Sequence, residues 1–140
     1  MRATGVGLML LLAACAGTAP SAAPDALPEP SHWRLVGSSD ARLQGDAAAA
    51  VRLTIAEGRL SGDSGCNEFS AGYSLANGAL QMQPLISTKR GCAPPAGEVE
   101  QALYAVLREA TRADLRDGRL RLTTGDGRYV EFLTENSARP

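Results

Sequence analysis

Histidine is almost absent: the 140 residues contain one, His32. A serine nucleophile of the Ser-His-Asp type needs an imidazole base held by a carboxylate. Here the single candidate base stands at the edge of a proline-rich segment, away from the polar motifs. Cysteine is scarce too, with Cys15, Cys66 and Cys92 widely spaced, so no set of zinc ligands can be assembled from sequence. No metal or other cofactor is expected. Charge of one sign is also missing, since 14 Lys and Arg stand against 15 Asp and Glu. The C-terminal arginines (Arg108, Arg112, Arg116, Arg119, Arg121, Arg128) are interleaved with acids, the pattern of a solvated face rather than of a nucleic-acid binder. No apolar run reaches the roughly 20 residues that a membrane-spanning helix needs. Aromatics make up only 4% of the chain, so the core has few large fillers.

What is present begins with a leader. Arg2 precedes the apolar stretch Val6 to Leu12, which ends in Leu12-Ala13-Ala14-Cys15. That is the layout of a secretory signal with small residues at its cleavage point. A cysteine directly after Leu-Ala-Ala resembles the lipobox of bacterial lipoproteins, which implies cleavage before Cys15 and acylation of its thiol. Two acyl chains give stable anchoring, at about 0.8 kcal/mol per buried methylene. Ala16 is not an aspartate, so the resemblance points to the periplasmic leaflet of the outer membrane. An ordinary cleaved signal is the alternative reading of the same residues. Residues 1–14 are therefore expected to be a signal peptide. Residues 15–31 are expected to be the lipidated cysteine and an Ala/Pro/Ser-rich tether, because Pro20, Pro24, Pro28 and Pro30 block helix and sheet. Residues 32–140 are expected to form one folded domain.

Within that domain a period of two recurs. Trp33 and Leu35 share one face, Val51-Arg52-Leu53-Thr54-Ile55 alternates cleanly, and Phe69, Ala71, Tyr73 and Leu75 continue the rhythm. Glu57-Gly58 marks a turn, and Asn77-Gly78 is a strong hairpin signal before Leu80 and Met82. Leu120 with Leu122, then Val130 with Phe132, close the series. Between Pro94-Pro95 and Arg112 the spacing changes: Val99, Leu103, Val106, Leu107 and Ala110 trace one helical stripe. Glu98 and Glu100 near its start and Arg108 and Arg112 near its end suit the helix dipole. The predicted fold class is α+β, an antiparallel curled and partly barrel-like sheet of about six to eight short strands with one packed helix.

The densest polar segment is Ser61-Gly62-Asp63-Ser64-Gly65-Cys66-Asn67. Gly62-Asp63-Ser64-Gly65 mimics a serine-protease nucleophile segment, and Asp63-Ser64-Gly65 an aspartic-protease triplet. The first lacks a histidine base, and the second lacks a second copy to share a proton. A tight turn, with glycine at positive φ and Asp or Ser capping an amide, explains the residues better. If Cys15 is acylated, Cys66 and Cys92 remain as an even pair, and an oxidising compartment favours a disulfide between them. Two buried free thiols satisfy the same sequence, and geometry decides between the two. A catalytic thiol has no basic partner in sight.

Gly65-Cys66-Asn67 with Phe69, Gly72-Tyr73, then Ser87-Thr88-Lys89-Arg90-Gly91-Cys92 and an amphipathic helix resembles the META/HslJ domain. Trp33 and Leu35 match the opening of that pattern, and Leu120, Leu122 and Phe132 its closing strands. Ala71 and Gly91 depart from the usual Ser and Ala. The resemblance implies a sheet curled against one helix, often carried on a lipoprotein and associated with envelope or heat stress, with no established catalysis. Thr88 and Lys89 lie beside Cys92, and with Asn67 they form a candidate binding rim, a satisfied structural network being the alternative. The expected role is a non-enzymatic, membrane-anchored periplasmic protein that supports the envelope through contact with another protein, acting as a monomer. The alternative is a carrier of a lipid or other apolar ligand, or a chaperone similar to the pilot lipoproteins of secretion systems, with a cavity between sheet and helix.

Overall fold

The computed structural model describes residues 23–135. The signal peptide and Cys15 lie outside the described residues. The chain runs β1 (Ser31–Ser38), α1 (Gly45–Ala49), β2 (Arg52–Ala56), β3 (Arg59–Asp63), β4 (Glu68–Ala76), β5 (Ala79–Met82), β6 (Ile86–Ser87), α2 (Ala96–Glu109), β7 (Ala110–Arg116), β8 (Arg119–Thr124) and β9 (Tyr129–Thr134). All strand pairs are antiparallel. Pairing of β3 with β4 joins the two ends of the series and closes eight strands into a barrel, with β6 added beside β4. This is the α+β, barrel-like sheet with one main helix that the periodicity predicts.

Alternation along each strand sets what the barrel holds. In β1, Trp33 and Leu35 are buried while Arg34 and Val36 face outward. Leu53 and Ile55, then Leu120 and Leu122, then Val130 and Phe132 repeat the arrangement. An eight-stranded barrel is just wide enough for such side chains to fill. Here they form one apolar cluster together with the buried face of α2, namely Val99, Ala102, Leu103, Tyr104, Val106 and Leu107. Outward strand positions are exposed or half-buried, so the helix reaches that cluster through a barrel mouth rather than by covering a wall.

Strand direction separates the two mouths. Three two-residue hairpins, Glu57-Gly58, Asn77-Gly78 and Asp117-Gly118, have both residues at positive φ, the conformation matched to strand twist. Because the strands alternate in direction, all three lie at one mouth. The opposite mouth carries α1, the turn at 64–67, the segment 88–95 and α2.

Two expectations are corrected. The apolar spacing predicts a helix running to Ala110 and Arg112, but α2 ends at Glu109, and Ala110 (φ −63, ψ 127) starts β7. Ala113, unremarkable by spacing, is fully buried in the barrel, so strand pairing overrides the weak helical preference of this stretch. The short α1 has only one buried residue, Ala48, and its alanines gave no apolar period to read.

Composition predicts a tether over 15–31, but its last part is folded. Residues 23–30 lie across the hairpin mouth as part of the folded body. Leu27, 4% exposed, joins the core. The Pro24 carbonyl accepts the Gly78 N–H (2.8 Å), and Asp25 Oδ1 accepts the Asn77 N–H (2.6 Å). The Glu29 carboxylate accepts the Gly58 N–H (3.1 Å) and the Tyr73 hydroxyl (2.5 Å). One leucine among prolines has no period, so nothing in the local sequence marks it as core.

These contacts predict a pH response. The Tyr73 hydroxyl first, and the Gly58 N–H second, hold the Glu29 carboxyl below its ordinary range. A carboxyl lowered in the folded state stabilises above its unfolded titration and loses that contribution as pH falls through the folded one. Glu29→Gln should therefore flatten part of the decline in urea midpoint on acidification. An acid limb identical to that of the parent chain would show that this clamp adds nothing.

Candidate functional site

The polar segment singled out by sequence forms the turn between β3 and β4. Gly62, the fourth residue of β3, is glycine because of close approach: a Cβ there would lie 2.0 Å from the Arg52 carbonyl oxygen. Gly65 sits at φ 86, which favours glycine. Asp63 Oδ1 accepts the Gly65 N–H (2.7 Å), and Ser64 Oγ accepts the N–H groups of Cys66 (3.2 Å) and Asn67 (2.9 Å). The Asp and Ser of the protease-like motif are thus turn caps.

Ser64 and Asn67 are both buried, and α2 supplies their partner. Ser64 Oγ donates to Glu100 Oε2 (2.6 Å), while Asn67 Nδ2 donates to Glu100 Oε1 (3.0 Å) and to the Arg90 carbonyl (3.0 Å). Asn67 Oδ1 accepts the Thr88 hydroxyl (2.9 Å) and the Arg90 N–H (2.7 Å). Cys66 is bonded to Cys92, with the two Cα atoms 5.9 Å apart, so of the two thiol states left open the structure has the disulfide. Turn, segment 88–92 and helix are thereby tied into one unit.

The candidate rim is divided by this arrangement. Asn67 is buried, with both ends of its amide engaged, and belongs to the structural network. Thr88 is exposed and bridges, its hydroxyl also accepting the Glu68 N–H (3.1 Å). Lys89 is exposed beside it. Sequence reading missed Glu100 and Tyr104 as members. By sequence Glu100 only suits the helix dipole, though its place one turn before the buried Leu103 and Tyr104 marks the border of the apolar face. Tyr104 packs edge-on to Phe69, with ring centroids 5.6 Å apart. Its buried hydroxyl lies close to Ser64, Ser87 and Glu100 without meeting any of them in hydrogen-bond geometry. Burial first, and the Glu100 charge next, push this phenol above its ordinary range, so it stays protonated as a donor.

His32 stands near the start of β1, at the hairpin mouth, with Nδ1 3.2 Å from Thr54 Oγ1. Ser64 is at the helix mouth, so the barrel separates the two. Among the described residues, no group of three or more His, Cys, Asp or Glu side chains is placed to hold a metal ion. A groove of about 690 Å³ lies on the β2–β3–β4 wall, between Arg52, Asp63, Glu68 and the exposed Ile86.

Comparison with known families agrees with this geometry. The META domain matches residues 26–137. The chain belongs to the META domain family. The match begins just before Leu27, so Leu27 and Glu29 of the segment across the hairpin mouth are within the family's span, and Pro24 and Asp25 precede it. An NMR structure of a protein from Burkholderia xenovorans is similar to this META domain at a TM-score of 0.65 and 24% identity, covering 76% of this chain and 83% of that one. A second NMR structure gives a TM-score of 0.53 and 24% identity over 74% of this chain and 87% of the other. At such identity these likenesses concern the fold. No curated protein matches the chain. Among the described residues, no helix of the META domain is long and apolar enough to cross a membrane.

Proposed function

We infer that this META-domain chain is a non-enzymatic envelope protein. It is anchored through acylated Cys15 in the periplasmic leaflet of the outer membrane, and it supports envelope integrity under stress through protein contacts. The observation that carries the non-enzymatic part is the internal use of the motif: Ser64 is 0% exposed and its hydroxyl is bonded to Glu100, while Asp63 caps Gly65. What remains accessible is the outer surface. The filled barrel supports contact over carriage, because Trp33, Leu53, Leu120 and Phe132 occupy the interior that an apolar ligand would need.

Complementation of a deletion strain under envelope stress tests both halves. Asn at position 63 can still accept the Gly65 N–H, so Asp63→Asn should rescue fully, whereas Cys15→Ala should not. Loss of rescue with folded Asp63→Asn protein would argue for chemistry at the turn. Full rescue by Cys15→Ala would remove the anchor from the reading.

A further inference from the structure

Beside the disulfide-tied turn lies a cleft of about 480 Å³, walled by Ser87 to Gly91 and by one face of α2. Glu100, Tyr104 and Arg108 fall one helical turn apart along that face, as do Gln101 and Ala105. Three cations line the cleft: Lys89, Arg90 and Arg108. None has a carboxylate partner among the described residues. Arg42, Arg52, Arg112, Arg119, Arg121 and Arg128, by contrast, are each ion-paired. Arg108 lies over the Tyr104 ring instead, 5.4 Å from its centroid.

Glu100 is the one carboxylate in the lining, and its two oxygens already accept from Ser64 and Asn67. Positive charge is therefore in excess at the cleft. The backbone that carries Lys89 and Arg90 is fixed. Both the N–H and the carbonyl of Arg90 are bonded to the Asn67 amide, and Cys92 is held by Cys66. Tyr104, whose buried hydroxyl has no hydrogen-bond partner, is one of the lining residues.

We propose that this cleft binds a phosphate group, with Lys89, Arg90 and Arg108 as its cationic contacts. A guanidinium offers paired N–H donors that match phosphate oxygens, and the ammonium adds a point charge. Three cations against one engaged carboxylate suit a dianion better than a single carboxylate ligand. The cleft opens at the helix mouth, while residues 23–30 lead toward Cys15 from the hairpin mouth. That polarity favours a free phosphate ester over a headgroup of the anchoring leaflet. Only this choice of source rests on the proposed anchoring and the phosphate site itself does not, so the Cys15→Ala chain should bind phosphate in the same way.

The experiment is an amide-shift NMR titration of the full chain in zwitterionic micelles with inorganic phosphate. A parallel titration of Cys15→Ala uses phosphatidylglycerol–phosphatidylcholine vesicles. Saturable shifts confined to residues 88–91 and 101–108 are expected with inorganic phosphate. Arg90→Gln/Arg108→Gln should weaken them about tenfold or more, with the rest of the spectrum unchanged. Arg116→Gln, which removes an unpaired arginine on β7, should leave binding intact. Response to vesicles alone, lost in the double variant, would keep the phosphate chemistry and make a lipid headgroup its source. No saturable shift with either probe would overturn the proposal, as would equal loss in Arg116→Gln.

Discussion

Asn67→Leu is expected to destabilise the domain by about 3–5 kcal/mol, because each buried polar group stripped of its partner costs about 1–3 kcal/mol. The side chain is 2% exposed and spans three elements. It donates to Glu100 on α2, exchanges two bonds with the Arg90 backbone, and accepts the Thr88 hydroxyl. Leucine keeps the branched heavy-atom framework and makes none of these bonds. The half-buried Glu100 carboxylate would keep only Ser64, and segment 88–91 would be left with the Thr88–Glu68 bonds and the neighbouring disulfide as its ties to the turn. Asn67→Asp keeps the acceptor but turns a second carboxylate toward Glu100, 3.0 Å from the present donor, so it should fail too. Thr88→Val removes an exposed hydroxyl; the exposed Glu68 N–H can turn to water and Asn67 Oδ1 keeps the Arg90 N–H, so the change should cost about 1 kcal/mol or less. Urea unfolding at constant m-value measures all three. An Asn67→Leu cost below that of Thr88→Val would mean the network does not hold the fold.

Removing the Cys66–Cys92 bond should have a comparable effect through a different route. The bond closes a sequence separation of 26 residues that contains β4, β5 and β6. Restricting a loop of that length in the unfolded chain is worth roughly 3.5 kcal/mol by chain entropy. For a domain of this size, that corresponds to a Tm lower by on the order of 10–20 °C. Cys66→Ser/Cys92→Ser should show that drop, and reductant should produce it in the parent chain but not in the variant. A parent Tm unmoved by full reduction, verified by thiol titration, would contradict this expectation.

The local elements were legible for local reasons. A period of two in 51–55, 69–75 and 120–122 states which side chains face inward, whatever the partner strand. The Asn77-Gly78 pair specifies a hairpin because both residues tolerate positive φ, and the structure has them there. The stripe Val99, Leu103, Val106 and Leu107 specifies a helix with one buried side, and all four are buried. Gly65-Cys66-Asn67 marked the turn at the centre of the network, and the residue types around it already argued against a hydrolase.

The remainder depended on residues far apart in the chain. Closure of the barrel rests on β3 pairing with β4 and on β5 meeting β7 at Ala79 and Arg112, and no periodicity encodes which strands adjoin. Glu100 reaches Ser64 and Asn67 across 36 and 33 residues, so its role appears only once α2 is seated on the mouth. Leu27 is apolar in a polar, proline-rich run, and only the hairpin mouth gives it something to fill. Sequence alone therefore determined the face each side chain turns and where the chain bends, because those follow from backbone sterics and neighbouring residues. Tertiary structure decided which polar groups meet and which cations stay unpaired, because burial and charge compensation depend on the whole packed body.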